Sequence, residues 1–547
     1  MTQIAGMAGN RGRNLLNIDD RAPGGAELSV ILTTTPDAPV LESAADRQIP
    51  TEVVPLEDGM SRREHERAVL DALSDHAFDL VCLDGYMRIL SDTFLDAVPT
   101  TLNVHPSLLP AFPGMDAWGD ALDAGVSVTG CTVHVVTDAT DDEGTVIEDE
   151  IDMGPIVTQE PILVYEGDTK ETLKDRVLYD GEFRAYPRAV RWFAEDTVEV
   201  VEGSDGPVAV ETPEDGDESF PHRRFQATDR LDVLRYGENP HQEAALYGDV
   251  RSDEPSVVHA PQVSGEKGMS YVNYVDAAGA LDLITEFEEP AAAVIKHANP
   301  AGCATAADLT EAYERALATD PMSAFGGIVA LNRPCDPETA ARIVDSVKHV
   351  VVAPGFEGDA LAVLGERESM RVLDVSRGDP TAIGPDDRTE TVAEKPLVGG
   401  RLVQDRDDQR LHTDDLEIVT DRAPTDDQLE TMCFAWQVVK HATSNAIVFA
   451  EGTETVGLGI GQVSRVDAVR IAAMKADEHA EGKDATGAVM ASDAFFPFPD
   501  GIEYAGEAGI EAVVQPGGSM RDDEVIAAAD ELGMAMAFTG QRCFRHD

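Results

Sequence analysis

The stretch LNVHPSLLPAFPG, Leu102 to Gly114, sets Asn103 and His105 two residues apart and follows them with Pro106, Pro110 and Pro113. In a strand, residues i and i+2 share a face, so Asn103 and His105 point together into one cleft. The prolines, with φ fixed and no N–H to give, set the path by which the chain leaves. The spacing therefore predicts a sheet strand ending at a polar cleft, a geometry suited to carbonyl chemistry. A structural turn histidine at position 105 is the plain alternative.

Around this stretch, the first 200 residues alternate short apolar runs such as LSVILTT and FDLVCLDGY with helical patterns such as REHERAVLDALSDH. That is the rhythm of an α/β domain with a mostly parallel sheet. Between Ala194 and Pro221 the text becomes AEDTVEVVEGSDGPVAVETPEDGDESFP, rich in acid, Gly and Pro, which reads as a charged linker with one short strand, taken as residues 196–224. Mixed α/β patterning then resumes to the end. The stretch DVSRGDPTAIGPDDRTETVAEKP, Asp374 to Pro396, divides this part into lobes over 225–390 and 391–547, or is an excursion within one lobe. No short-period repeat is visible.

The chain has 547 residues, more than one core usually serves, with 103 Asp and Glu against 42 Lys and Arg and a net charge of −61. Such a charge repels nucleic acid and anionic membranes, so neither is expected as a partner. It also points to a salt-rich cytoplasm, where short screening lengths quench self-repulsion. The six cysteines, Cys82, Cys131, Cys303, Cys335, Cys433 and Cys543, form no CxxC pair, so neither a zinc knuckle nor a disulfide framework is indicated. No opening segment joins a basic region to a long apolar run and no apolar stretch reaches spanning length, which predicts a soluble cytoplasmic protein.

Near the start, AGMAGNRGRNLLNI puts Gly9, Asn10, Arg11, Gly12, Arg13 and Asn14 between an apolar opening and a helix. A glycine turn feeding a helix N-terminus offers N–H groups to an anion, and the arginines add forked donors; a tight turn with solvent-facing arginines is the alternative. The spacing is not GxGxxG, so no NAD is expected. Further on stand DGYMRIL, Asp84 to Leu90, then GVSVTGCTVHVV, Gly125 to Val136, and DMGPIVTQE, Asp152 to Glu160.

With LNVHPSLLPAFPG, these motifs make residues 1–195 resemble glycinamide ribonucleotide formyltransferase, the folate-dependent enzyme of purine synthesis. The resemblance implies a Rossmann-like fold and a catalytic group of Asn103, His105 and Asp152, with no catalytic metal. An amine attacking a formyl carbon creates an oxyanion that the Asn103 amide and a protonated His105 stabilise, while Asp152 holds the imidazolium and takes the amine proton, directly or through water. His134 is either a supporting group or simply packed. By the same resemblance Met87, Arg88, Ile89 and Leu90 line the pterin cleft, Arg62 positions substrate and folate, and Asn10, Gly12, Arg13 and Glu182 contact the ribonucleotide. The glycine turn is one residue longer and more basic than the family's usual form. ATDDEGTVIEDEI, before Asp152, adds an acidic insertion of about ten residues beside the folate pocket, either a solvated flap or an influence on cofactor selectivity.

The rest of the chain carries LRYGENPHQEAALY (Leu234 to Tyr247), VIKHANPAGCA (Val294 to Ala304), TDPMSAFGGIVALN, VVKHATSNAIVFA (Val438 to Ala450), GIGQVSRVDAVRIA, SDAFFPFPDGI, QPGGSMRDDEV and AFTGQRCFRH. Lys296 and His297 are adjacent and would oppose each other in a regular strand, but the following ANP suggests a strand end where both reach one site. SAFGG and QPGG read as tight packing turns or as backbone donors beside a ligand.

In order, these motifs resemble the transformylase half of the bifunctional purine enzyme that formylates aminoimidazole carboxamide ribonucleotide (AICAR), across residues 225–547. The resemblance implies two lobes of cytidine-deaminase-like α/β fold without the zinc, and an intertwined homodimer. His297 is then the base on the weak amine and Lys296 the acid or charge stabiliser, with Asn445 and His546 holding the formyl oxygen and amine. Arg235, Tyr236, Gly237, Arg465 and Arg542 grip the ribonucleotide, and Phe495, Asp500 and Phe544 orient rings. The implied cosubstrate for both halves is 10-formyltetrahydrofolate. No cyclohydrolase domain is recognised, so the chain reads as a fusion of two formyl transferases, of a halophilic archaeal type, with a separate IMP cyclohydrolase expected in the pathway. The alternatives are a formyltetrahydrofolate hydrolase or inactive folate-binding module at the N-terminal half, and cyclohydrolase activity within the C-terminal half.

Overall fold

The apolar runs LSVILTT and FDLVCLDGY become strands in the computed structural model, which describes residues 1–141, 145–203, 206–211, 220–221, 223–249, 252–376, 378 and 381–546. The chain divides into two compact units, Met1–His222 and Arg223–Asp547.

In the first unit β1 (Gln3–Ala8), β2 (Glu27–Thr33), β3 (Thr51–Val53), β4 (Leu80–Asp84), β5 (Thr101–His105), β6 (Val128–Val135) and β7 (Ile156–Leu163) form one sheet in the order β3-β2-β1-β4-β5-β6-β7. It is parallel as far as β5, and β6 and β7 add an antiparallel edge. Ile4, Ile31, Cys82 and Leu102 are buried on one face and Ala5, Val30, Val81 and Leu83 on the other. Burial on both faces is why these strands read as continuous apolar runs. The helix Arg62–Leu73 starts in a capping box made by Ser61 and Glu64.

Strand order reverses between β1 and β4, the place where open α/β sheets bind ligands at their carboxyl ends. Here the chain leaving β1 lies against the chain leaving β4: Gly9 N–H donates to Asp84 O at 3.1 Å. A Cβ on Gly9 would sit 1.8 Å from the carbonyl oxygen of Gly85. Within the acidic stretch expected as a linker, the alternating valines form an antiparallel hairpin, β8 (Val198–Gly203) and β9 (Gly206–Glu211); residues 204–205, 212–219 and 222 of that stretch lie outside the described residues.

The second unit opens with a hairpin of β10 (Thr228–Leu234) and β11 (Ala244–Asp249). Its main sheet takes β12 (Gln262–Ser264), β13 (Ala291–Lys296), β14 (Asn299–Thr305), β15 (Ile328–Leu331), β16 (Val350–Ala353) and β17 (Arg371–Asp374) from the first lobe. A separate hairpin, β18 (Val392–Leu397) with β19 (Gly400–Asp405), follows. The second lobe adds β20 (Glu417–Ile418), β21 (Ile447–Glu451), β22 (Glu454–Gly459), β23 (Val489–Ser492), β24 (Ala512–Gln515) and β25 (Ala535–Phe538). The order is β12-β17-β16-β15-β13-β14-β22-β21-β23-β24-β25-β20.

Each lobe thus repeats one pattern, an antiparallel hairpin beside three parallel strands, and the hairpins meet through Ala304 and Glu454. The helices Tyr271–Ile284 and Asp426–Lys440 bury Ala277, Leu281, Met432 and Val439 in one core shared by both lobes. The opposite face keeps a separate core for each lobe. Among the described residues no helix is long and apolar enough to cross a membrane.

Replacing Gly9 by Ala forces backbone apart at the β1–β4 crevice, an overpacking expected to cost about 2 kcal/mol. Denaturant unfolding of the first unit's transition measures it.

Candidate active sites

In the first unit the strand spacing places Asn103 and His105 where their alternation predicts, at the end of β5, and β6 pairs His134 directly with Asn103. Asp152 arrives from the loop before β7 in a left-handed conformation, φ 59°. Its Oδ2 lies 3.1 Å from His105 Nδ1, and its Oδ1 lies 3.6 Å from His134 Nε2. On the other side of the ring, His105 Nε2 donates to the carbonyl of Phe112 at 3.0 Å, and Phe112 is itself left-handed, φ 56°. An imidazole facing a carboxylate through one nitrogen and a carbonyl through the other satisfies both only when both nitrogens carry protons.

The electrostatics agree. Burial opposes charge on His105, but the hydrogen bond and charge of Asp152, with the Phe112 carbonyl, raise it above the ordinary histidine value. Burial raises Asp152, yet the hydrogen bond and charge of His105, with the Gly114 N–H, bring it below the usual carboxylate range. His134 is lowered, chiefly by burial. Its Nδ1 donates to Val135 O at 3.2 Å and its Nε2 accepts from Asn103 Nδ2 at 3.2 Å, the pattern of a neutral ring.

Beside this cluster, Gly12 is left-handed, φ 58°, and opens the helix Arg13–Arg21 with no side-chain cap. The N–H of Asn14 is already bonded to Asp84 Oδ2 at 2.8 Å, whereas those of Gly12 and Arg13 have no partner among the described residues. Asn10 is exposed, and the Arg13 guanidinium donates to Tyr179 OH at 3.2 Å. Asn14, named in the glycine turn but given no role from sequence, is buried and donates through Nδ2 to Glu182 at 2.6 Å. Its Oδ1 is buried without a partner among the described residues. Burial, with the nearby Asp84 carboxylate, pushes Glu182 up to about 7 against the Asn14 hydrogen bond.

Met87, Arg88 and Leu90 lie on the loop after β4, the first two exposed and Leu90 buried, with Ile89 between; Arg62 is the first residue of its helix. Just before the acidic insertion, Asp138 accepts from the Asp92 N–H at 3.1 Å; within it, residues 142–144 lie outside the described residues.

In the second unit His297 and Ala298 are both left-handed, φ 55° and 58°, and form the two-residue turn between β13 and β14. This resolves the adjacency: Lys296 ends the strand opposite Asn299, and His297 stands exposed on the turn. Lys296 Nζ donates to Phe325 O at 3.1 Å. Asp276 holds the turn by accepting from the Ala298 N–H at 2.7 Å, and Asn299 Oδ1 accepts from the Thr443 N–H at 2.9 Å. That second bond ties the turn to the loop carrying Asn445.

Asn445 Oδ1 accepts from Arg465 Nη2 at 2.7 Å, and its amide donates to Gln462 O at 2.8 Å. Arg465, expected to grip the ribonucleotide, has its guanidinium committed to Asp493, Ser492 at 2.7 Å and Asn445. The C-terminal segment docks on the same loop, Ser444 N–H donating to Arg545 O at 2.9 Å. Phe544 and His546 meet edge to face at 5.4 Å, with Arg542 over Phe544 at 4.5 Å.

Phe495 is exposed and Asp500 opens the helix Asp500–Glu507. Arg235 lies 5.6 Å over the Tyr236 ring, and Gly237 N–H closes its turn on Gln242 O at 2.7 Å. A cavity of about 840 Å³ at the other end of the sheet, lined by Glu314, Glu451, Glu454 and Lys483, contains none of these residues. Among the described residues no group of three or more His, Cys, Asp or Glu side chains is placed to hold a metal ion.

The family model of the AICARFT/IMPCHase bienzyme matches residues 191–475, and that of formyl transferase matches residues 4–190. The chain belongs to the AICARFT/IMPCHase bienzyme family, with a formyl transferase domain ahead of the bienzyme match. It is 51% identical over 335 residues to the bifunctional purine biosynthesis protein PurH of Roseobacter denitrificans, and 50% identical over 336 residues to that of Rhodospirillum rubrum. Each alignment covers 60% of this chain and 62% of the relative, so the chain spans less than two thirds of the length of these relatives. Glycinamide ribonucleotide transformylase 1 from Symbiobacterium toebii matches at 37% identity and a TM-score of 0.35, over 39% of this chain and 94% of that structure.

The bienzyme match ends before Phe495, Asp500, Arg542, Phe544 and His546. Within its span lie Asp276, His349 and Arg371, which sequence reasoning missed. The signal for one of them was present, since Lys–His occurs three times, at Lys296–His297, Lys348–His349 and Lys440–His441.

Because Glu182 ionises at about 7 when folded and near 4.5 when unfolded, its carboxyl favours folding below pH 4.5 and loses that contribution as pH rises to 7. Glu182→Gln is expected to remove a pH-dependent loss on the order of 3 kcal/mol over this window, measured as the difference between wild-type and variant unfolding curves.

Proposed function

We propose that the first unit transfers the formyl group of 10-formyltetrahydrofolate to glycinamide ribonucleotide and that the second formylates AICAR. The observation that supports the first reading is the convergence of Asn103, His105 and Asp152, with the His105–Asp152 pair at 3.1 Å. The amine nitrogen bonds to the formyl carbon, the carbonyl oxygen becomes an oxyanion, and the carbon–N10 bond then breaks to release tetrahydrofolate. One Asn103 amide hydrogen is committed to His134 and the other remains for the oxyanion. His105 acts through its positive charge, since Asp152 and Phe112 take both of its N–H groups. Asp152 receives the amine proton through water, and N10 takes up a proton as it leaves.

In the second unit the turn at His297 presents an exposed imidazole as the base for the weak amine. Lys296 is the acid towards N10. Arg465 orients Asn445 rather than meeting phosphate, which leaves Arg235, Tyr236, Gly237 and Arg542 for the ribonucleotide, Phe495, Asp500 and Phe544 for the rings, and His546 beside them. We further assign the two lobes to the cytidine-deaminase-like class, on the support of their repeated hairpin and three parallel strands.

The test is formation of each formylated ribonucleotide by the full chain. His105→Ala is expected to lower glycinamide formylation at least 100-fold and leave AICAR formylation intact, and His297→Ala the reverse, because positioned acid-base groups contribute roughly that factor. A fall below tenfold in either case overturns the role. Folate release that persists without either amine identifies a hydrolase. Formylated AICAR supplied without folate stays open-chain if cyclisation belongs to a separate cyclohydrolase; its conversion to inosinate, retained in His297→Ala, places that activity in this chain.

The second site is also read as part of a homodimer. Phe325 and Val463 give their carbonyls to Lys296 and Asn445 yet leave their side chains 61% and 102% exposed. Large apolar groups bare beside a site are interface material. Dimer content and activity are expected to rise together from dilute buffer to multimolar KCl, as the −61 charge is screened; sedimentation at several salt concentrations, with activity measured alongside, checks it, and a fully active monomer refutes it.

A further inference from the structure

Lys296, His349 and Arg371 come together at one end of neighbouring strands in the second unit's sheet. The chain before β15, β16 and β17 is laced there: Gly326 N–H donates to Val347 O at 2.8 Å, His349 N–H to Gly327 O at 3.0 Å, and Arg371 N–H to His349 O at 3.0 Å. Gly326 is left-handed, φ 71°. A Cβ on it would lie 3.2 Å from His349 Cε1, 3.4 Å from His349 Nε2 and 3.4 Å from Lys296 Nζ. The imidazole and the ammonium therefore crowd the same α-carbon.

Neither Lys296 nor Arg371 is neutralised among the described residues. Lys296 donates to the carbonyl of Phe325. Arg371 donates to the carbonyls of Gly268 at 3.1 Å and Ser369 at 3.4 Å, which leaves Nη2 open. Among the described residues no carboxylate lies within ion-pair distance of Lys296, His349 or Arg371. Asp276, the acid whose charge reaches His349, has its Oδ1 committed to the Ala298 N–H. The field shows in both side chains: burial, then Lys296 and Arg371, lower His349 against the pull of Asp276, and burial lowers Arg371 against the Tyr236 phenol. A part-buried cation without a counter-ion is costly, and in a chain of 103 acids and 42 Lys and Arg a carboxylate partner is abundant. Uncompensated cations gathered at one place fit an anion that arrives from outside.

We propose that His349 and Arg371, beside Lys296, form an anion subsite of the second unit, filled by the phosphate of its ribonucleotide or by a carboxylate of the folate glutamate tail. The assignment rests on the transformylase reading for the identity of the anion, and adds His349 and Arg371 to the groups that hold substrate. Tyr236, in the field of Arg371, makes the subsite continuous with the Arg235–Tyr236 turn.

The test uses the full chain with Arg371→Met, Arg371→Lys and His349→Gln. KM is measured for AICAR and for mono- and polyglutamyl 10-formyltetrahydrofolate, and calorimetry gives the Kd of each ligand without turnover. Loss of a hydrogen bond to a charged group weakens binding roughly tenfold to a hundredfold. Arg371→Met is expected to raise KM and Kd for one ligand at least tenfold, more than it lowers kcat, with Arg371→Lys recovering part of the loss. An increase confined to AICAR identifies the phosphate; one confined to the polyglutamyl folate identifies the tail carboxylate. Unchanged Kd for all ligands overturns the subsite, as does a fall in kcat with both KM values unchanged. If the wild-type chain binds but does not formylate AICAR, the transfer reading fails while the Kd comparison still decides the subsite. Exposed His349 carries the same measurements through His349→Gln should Arg371→Met not fold.

Discussion

Left-handed backbone at residues other than glycine is the constraint on which both candidate sites depend. Among the described residues such a conformation occurs at Ala22, Gln48, Phe112, Asp152, Asp196, His297 and Ala298, and four of these seven belong to the two sites. Each costs on the order of 1–2 kcal/mol and persists only where its surroundings impose it. At His105 two of them converge from opposite sides, the Asp152 carboxylate on Nδ1 and the Phe112 carbonyl on Nε2. Extended backbone at either position would aim that acceptor elsewhere and release the second proton. In the second unit, paired left-handed residues let Lys296 end a strand while His297 stands clear of it, and Asp276 and Asn299 bind the turn on both sides.

What the sequence revealed follows from what is local. Asn103 and His105 share a face because strand alternation is a property of neighbouring residues, and the apolar runs became sheet strands for the same reason. The ending of a strand at Lys296 was legible from HANP, but the turn that separates Lys296 from His297 was not, since neither His297 nor Ala298 is a residue that favours positive φ. Asp276, His349 and Arg371 stand far apart in sequence and meet only because β13, β15, β16 and β17 are neighbours in the sheet. Acidic composition concealed the β8–β9 hairpin, whose valines alternate within a stretch dominated by Glu and Asp. The repeat of the second unit was hidden because topology is shared while the motifs on each half differ.

Placement of the scarce basic side chains carries the argument further. One buried carboxylate, Glu286, receives Arg388 at 2.8 Å and Lys440 and His441 at 2.9 Å, and Asp282 meets His441 Nδ1 at 3.2 Å. Burial drives Glu286 upward, but His441, Lys440 and Arg388 together bring it down to about 2. Lys440 and His441 end the helix Asp426–Lys440, where cations also meet the negative end of its dipole. Breaking such a buried set typically costs 3–5 kcal/mol. His441 begins the loop that carries Asn445, and its carbonyl accepts from Arg545 of the C-terminal segment. The network therefore fixes the point from which both Asn445 and the C-terminal segment are hung.

Under the proposed formyl transfers, the two centres differ in how charge is arranged. In the first, the charged imidazole and carboxylate are already paired and largely buried, so substrate meets a field set in advance, and its electrostatic effect needs no rearrangement of the protein. In the second, cations lean on carbonyls and apolar side chains stand bare beside them. A field of like charges weakens when an anion joins it, so there the bound ligand itself completes the electrostatics. That contrast matches the amines of the proposed substrates: an aliphatic amine is a strong nucleophile that needs little beyond a fixed cradle, whereas an amine conjugated to an electron-poor ring attacks only when binding brings acid, base and counter-charge together.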